Sequence, residues 1–182
     1  MAQFKSFDPN VEVLGGVIMS ILEGMGDYKS IGTKILLENG ISEINPEGWY
    51  PLQNLLDSMK TVSEKLGADT LYLIGSKIPE VAMFPPGIEN LEQGMPLIDM
   101  AYHMNHRNGE IGTYTFKMID ENTAEMVANN PYPCEFDRGL CAGFAKKFPP
   151  TNVTEDGVTV MLVDEKENRQ NRGETSTYTM MW

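Results

Sequence analysis

The chain has 182 residues, 41% of them apolar, and a formal net charge of −12 at pH 7. That length suits one domain with a sizeable core. So acidic a surface excludes nucleic acid, whose phosphates demand basic patches, and argues equally against docking on anionic membranes. The start, MAQFKSFDPNVEV, is polar, and the VLGGVIM run that follows is far too short to span a bilayer, so a cytoplasmic protein is expected. The chain carries two cysteines; without a secretory signal they read as free thiols in a reducing compartment. Thirteen methionines suit irregular core space or a pliable apolar pocket.

Residues 11–25 predict a helix interrupted by Gly15 and Gly16, with Leu14, Ile18, Ile21, Leu22 and Met25 at helical spacing. A second helix is expected from Ser30 to Glu38, closed by Asn39-Gly40. INPEGWYP reads as a turn, because Pro46, Gly48 and Pro51 bracket Trp49 and Tyr50. A strongly amphipathic helix follows from Leu52 to Leu66, stopped by Gly67, and Asp69 is placed to cap another helix through Leu71, Ile74 and Ile78. Phe84-Pro85-Pro86-Gly87 then breaks the chain.

From about Ile88 to Arg107 a long helix is predicted, bent or split at Pro96. Residues 111–119 switch to the period of a strand: Tyr114, Phe116 and Met118 fall on one face, Thr113, Thr115 and Lys117 on the other. Asp120–Asn122 turns the chain into a second strand over Thr123–Ala128. The segment NNPYPCEFDRGLCAGFAKKF, residues 129–148, has a stiff Pro131 and Pro133 entry and then a helix. Glu135 and Asp137 match its positive end, Lys146 and Lys147 its negative end. Phe136, Leu140, Phe144 and Phe148 form its apolar stripe, and Gly139 and Gly143 suit close approach to another element. Strands follow at 158–164 and in the closing TSTYTMMW, joined by a loop over 166–174 that reads as mobile.

The expected architecture is therefore α+β: a helical part over residues 1–87, then helix, hairpin, helix, hairpin over 88–182 around a four-stranded antiparallel sheet, the two parts forming one compact unit.

Two groups could carry chemistry. Cys134 and Cys141 lie two turns apart on one helix, about 10 Å along its axis, which rules out a disulfide within it. They read as buried structural thiols, as a reactive or ligand-facing Cys134 at a helix start, or as metal ligands without a CxxC pattern. The only histidines, His103 and His106, form HxxH in YHMNHR. On a helix they can meet a common ligand, or they simply complement a polar helix end; the HExxH pattern of a zinc enzyme is missing. No phosphate-binding glycine loop, no acyl-transfer order and no paired-carboxylate signature occurs, so an enzyme is not the expectation.

Residues 88–182 resemble the 4-vinyl reductase domain, through the order of elements, the NPYPCEFDRGLCAGF segment and the closing Gly173…Tyr178…Trp182 strand. More distantly the layout is similar to the haem nitric-oxide/oxygen sensor fold and to trafficking-complex subunits. ILLENGISEINPEGWYPLQNLLDSM looks like the helical N-terminal part of such sensors. The resemblance implies an apolar pocket between helices and sheet. In aromatic-sensing members a cysteine cluster binds zinc; Cys134 matches its first member, but Ser176 stands where another cysteine is common. The haem sensors' Tyr-x-Ser-x-Arg motif is missing, while His103 or His106 could serve as a proximal haem ligand.

The functional expectation is a sensory or carrier domain for a small apolar or aromatic ligand, with no bound cofactor or metal. The pocket would be lined by Tyr102, His106, Tyr114, Phe116, Met118 and Trp182, with Cys134 facing the ligand and His103 or His106 bonding a polar group. A homodimer or a signalling protein would receive the output. A haem or tetrapyrrole sensor and a ligand-free interaction module are the alternatives.

Overall fold

The computed structural model describes residues 3–164 and 166–182. The chain runs β1 (Glu12–Leu14), α1 (Gly15–Gly24), α2 (Lys29–Glu38), β2 (Trp49–Pro51), α3 (Leu52–Leu66), α4 (Ala68–Val81), α5 (Leu91–Gly94), α6 (Leu97–Met104), β3 (His106–Arg107), β4 (Thr113–Asp120), β5 (Thr123–Asn129), α7 (Cys134–Lys147), β6 (Thr159–Leu162) and β7 (Ser176–Met181). It is an α+β fold around an antiparallel four-stranded sheet of order β4-β5-β7-β6, with a small second sheet of order β2-β1-β3.

The expected helix over 11–25 begins only at Gly15, because residues 12–14 are held as a strand. Val11 and Val13 alternate into the core, and β1 pairs with both β2 and β3. Gly15 is required where strand becomes helix: a Cβ there would stand 2.0 Å from the Asn45 carbonyl oxygen. The segment read only as a Pro/Gly turn supplies β2, so WYP is a strand as well as a turn. Helix α3 follows the expected span and buries Leu52, Leu55, Leu56, Met59 and Val62. Asp69 is not the cap of α4 but lies in its first turn; Gly67, at φ 91°, takes the cap position.

The helix expected over 88–107 is two. Pro96 separates α5 from α6, as a residue without an amide hydrogen inside a helical path does. Helix α6 stops at Met104, and His106 and Arg107 are drawn into β3 by pairing with β1.

Helix α7 runs against α4 along a seam of glycines. A Cβ at Gly139 would lie 2.0 Å from the Tyr72 carbonyl oxygen, one at Gly143 2.4 Å from that of Ser76, and one at Gly75 2.1 Å from that of Phe136. Backbone therefore meets backbone, which only glycine permits. On its other side α7 meets the sheet. Facing residues pair across it in rows, such as Phe116–Met126–Tyr178–Leu162 and Tyr114–Ala128–Ser176. The Tyr114 hydroxyl donates to Asp137 and that of Tyr178 to the Cys134 carbonyl, which marks this face as the one toward α7.

The 166–174 loop, read as mobile, is anchored. It includes a single turn at Arg169–Asn171, and both Asn168 and Arg169 are 1% exposed. Among the described residues no helix is long and apolar enough to cross a membrane.

Candidate functional site

A cavity of about 560 Å³ opens between the helices and the edge of the sheet. That is within the usual size of a small-molecule site. Helix α1 contributes Val17 and Ser20, the end of α4 Ile78 and Val81, the following linker Ala82 to Pro85, α6 Leu97, Ile98, Met100, Ala101, Tyr102 and Met104, and α7 Phe136, Leu140 and Phe144. Both halves of the chain thus build its wall. The wall is mostly apolar, and among the described residues no lysine, arginine, aspartate or glutamate stands on it. Its mouth carries exposed apolar side chains: Met83 is 98% exposed, Met104 71% and Met100 57%. Lys147 holds its ammonium 4.5 Å from the Phe84 ring centre and donates to the Pro79 carbonyl.

The polar end is made by Tyr102, His106, Tyr114 and Tyr132. Their rings pack on one another, with Tyr102 4.2 Å from His106 and 5.3 Å from Tyr114, centre to centre. The Nδ1 of His106 lies 2.7 Å from the Tyr102 carbonyl oxygen and its Nε2 2.9 Å from the Tyr132 hydroxyl. A carbonyl only accepts, so Nδ1 carries the hydrogen. Burial lowers the His106 pKa to about 4, which keeps the ring neutral at pH 7. Nε2 is then the acceptor and the Tyr132 hydroxyl the donor. Tyr102 gives its hydroxyl hydrogen to the Ile111 carbonyl at 2.5 Å. Burial, with the other tyrosines and Asp137 nearby, pushes the hydroxyl pKa values of Tyr102, Tyr114 and Tyr132 up, so all three stay protonated.

Behind Tyr114 is a closed network. Tyr114 donates to Asp137 at 2.6 Å, and Asp137 pairs with Arg169 at 2.5 Å; the two side chains are 0% and 1% exposed. Arg169 also donates to both oxygens of Asn130, to Ser176 at 3.1 Å and to Tyr178 at 3.2 Å. Burial opposes charge on Arg169, but Asp137 beside it raises its pKa and holds it protonated. Asp137, read from the sequence as a helix-dipole residue, is instead a buried hub.

Of the expected site residues, Tyr102, His106 and Tyr114 stand on the cavity wall. The others lie elsewhere. His103 is on the solvent side of α6, its Nδ1 2.9 Å from the Asp99 carbonyl oxygen. The HxxH pair does not share a helix face, because the helix ends between the two imidazoles. Phe116 points the same way as Tyr114 but lies further along β4, half-buried. Met118 and Trp182 border a separate depression of about 260 Å³, where the Trp182 indole donates to Asn152 at 2.6 Å. Cys134 is buried behind the wall, its Sγ 3.2 Å from Ser176 Oγ, and Cys141 is buried too, its thiol pushed up by burial. Among the described residues no group of three His, Cys, Asp or Glu side chains is placed to hold a metal.

Sequence reasoning missed Tyr132, treated only as part of a stiff entry, and the wall made by Phe136, Leu140 and Phe144, read as a packing stripe. It also missed Val17 and Ser20, for which the local sequence carries no signal.

No protein-family model matches the chain, and no curated protein matches it. Solved structures do, H-NOX domains among them. One is a protein whose heme redox potential is modulated by porphyrin distortion: 16% identity, 93% of this chain and 99% of that one, TM-score 0.67. Another is an Fe(II) unliganded H-NOX protein from K. algicida: 14% identity, 92% and 95% coverage, TM-score 0.65. A third is an oxygen-binding H-NOX domain related to soluble guanylate cyclases: 17% identity, 92% and 93% coverage, TM-score 0.64. At such identities the likeness establishes a shared fold.

The residues do not fit a haem as they are arranged. His106 is the single imidazole on the wall, and its Nε2, the atom an iron would need, accepts from Tyr132. Among the described residues no cationic side chain lines the cavity to meet haem carboxylates, and the buried Arg169 is committed to Asp137.

Proposed function

We propose that this chain is a sensory or carrier domain that takes a small, uncharged, mostly apolar molecule into the cavity between α1, α4, α6 and α7. The observation that carries the reading is the cavity itself: about 560 Å³, apolar around its length, with one polar end built from Tyr102, His106, Tyr114 and Tyr132. Broad apolar walls with a few oriented polar groups are the usual composition of a ligand site. An uncharged wall disfavours carboxylates, which would lose their hydration without gaining a cation. The resemblance of NPYPCEFDRGLCAGF to the 4-vinyl reductase domain points to the same class of module, and a signalling partner or a second copy of the chain would read the bound state.

The test is a thermal-shift screen against phenols, fatty acids and tetrapyrroles, repeated on Val17→Trp, which places an indole in the cavity. A saturable rise in melting temperature with an uncharged apolar compound, lost in the variant, is expected. A screen without any shift overturns the reading. The shared H-NOX fold supports a second reading, a haem sensor. Added hemin separates the two: protein that stays colourless after desalting favours the apolar ligand, and a Soret band abolished by His106→Ala establishes haem.

A further inference from the structure

The hydrogen bonds around the cavity define what its ligand must offer. Six polar side chains stand on the wall, and nearly all of their hydrogens are spent on the protein itself. Ser20 donates to the Gly16 carbonyl at 2.9 Å and Tyr102 to that of Ile111 at 2.5 Å. Tyr114 donates to Asp137 at 2.6 Å, Tyr132 to His106 at 2.9 Å, and His106 to the Tyr102 carbonyl at 2.7 Å. Asn105 gives one amide hydrogen to the Ala101 carbonyl at 2.8 Å, leaving one more at a half-exposed position. None of these assignments can be reversed in the neutral site. Four of the acceptors are backbone carbonyls and one is a carboxylate, none of which can donate. The sixth, His106 Nε2, is an acceptor because Nδ1 holds the ring's one hydrogen. At the buried end, among Tyr102, His106, Tyr114 and Tyr132, what remains to face a guest is lone pairs: each hydroxyl oxygen keeps acceptor capacity after its hydrogen is spent.

We infer that the cavity selects an uncharged ligand bearing an N–H or O–H group over an isostere that can only accept. This rests on the cavity being a ligand site. A donor-bearing guest satisfies itself and a wall oxygen together. An acceptor-only guest meets lone pair against lone pair and buries a polar group unpaired, which is the situation that gives polar sites their sharpest discrimination.

Indole and benzofuran are matched in shape and differ in this one property; 1-methylindole removes the same donor with one methyl group added. Isothermal titration calorimetry should show indole binding at least about tenfold tighter than either analogue. His106→Phe frees the Tyr132 hydroxyl hydrogen and should bring benzofuran to within about threefold of indole, since a donor then exists at the buried end. Tyr132→Phe leaves the Nε2 lone pair open and should keep the preference for indole; it also serves if His106→Phe does not fold. Equal or tighter binding of 1-methylindole or benzofuran overturns the inference and leaves the cavity reading standing. Selectivity unchanged by a folded His106→Phe also overturns it, because the preference then arises elsewhere. If none of the three binds, the inference falls, and an empty thermal-shift screen besides would remove the cavity reading with it.

Discussion

Replacing Arg169 by methionine removes the cation from a pair that no water reaches. Asp137 is 0% exposed and, among the described residues, would keep Tyr114, at 2.6 Å, and Asn130, at 3.2 Å, as donors. The Asn130 carbonyl and side chain, the Ser176 hydroxyl and the Tyr178 hydroxyl would lose a partner in the same step. Breaking a buried pair from one side costs about 3–5 kcal/mol, chiefly because the remaining charge is stranded. For a chain of this size about 1 kcal/mol corresponds to ~2–4 °C, so the melting temperature should fall by roughly 6–20 °C. Urea unfolding followed by circular dichroism gives the free energy directly. The double variant Asp137→Leu/Arg169→Met, apolar on both sides, should recover most of the loss, with a coupling of at least about 2 kcal/mol in the cycle. Hydrogen exchange at residues 166–174 should accelerate in Arg169→Met, because Arg169 bonds that loop to α7 through Asp137. A loss below about 1 kcal/mol, or additive single and double variants, would refute the account of an anchored loop.

Further outcomes follow from the same geometry. His106 titrates near 4 in the folded chain against 6.5 when free, so the unfolded state binds the extra proton between those values. Its neutral burial is without penalty above pH 6.5 and should cost up to about 3 kcal/mol as pH falls to 4, seen as a shallower acid limb in His106→Gln than in the wild type. Gly139→Ala drives a Cβ to 2.0 Å from the Tyr72 carbonyl oxygen and should destabilise by about 1–3 kcal/mol in urea unfolding, whereas alanine at Gly16, with nothing nearer than 3.6 Å, should not. Cys134 and Cys141 are both buried, so a thiol reagent should titrate neither until denaturant is added.

The sequence by itself determined the elements whose signal is local. The stripe in α3, the alternation of Tyr114, Phe116 and Met118 in β4, and the proline entry and charged ends of α7 are written in spacings of two or four residues, and the α+β class follows from their order. Gly139 and Gly143 announced a close approach, though not its partner α4. Tertiary structure decided what depends on residues far apart in the chain. Residues 12–14 are a strand because β2 and β3 meet them there, and His106 leaves its helix for the same pairing. Arg169, in a segment as polar as any disordered loop, is buried because Asp137, 32 residues earlier, faces it. The cavity is the clearest case: its walls come from four helices, two strands and the segments that join them, and no periodicity within one element records a space left between several. Burial of a charge or the shape of a void is a property of packing, and packing is settled only when all the faces have met.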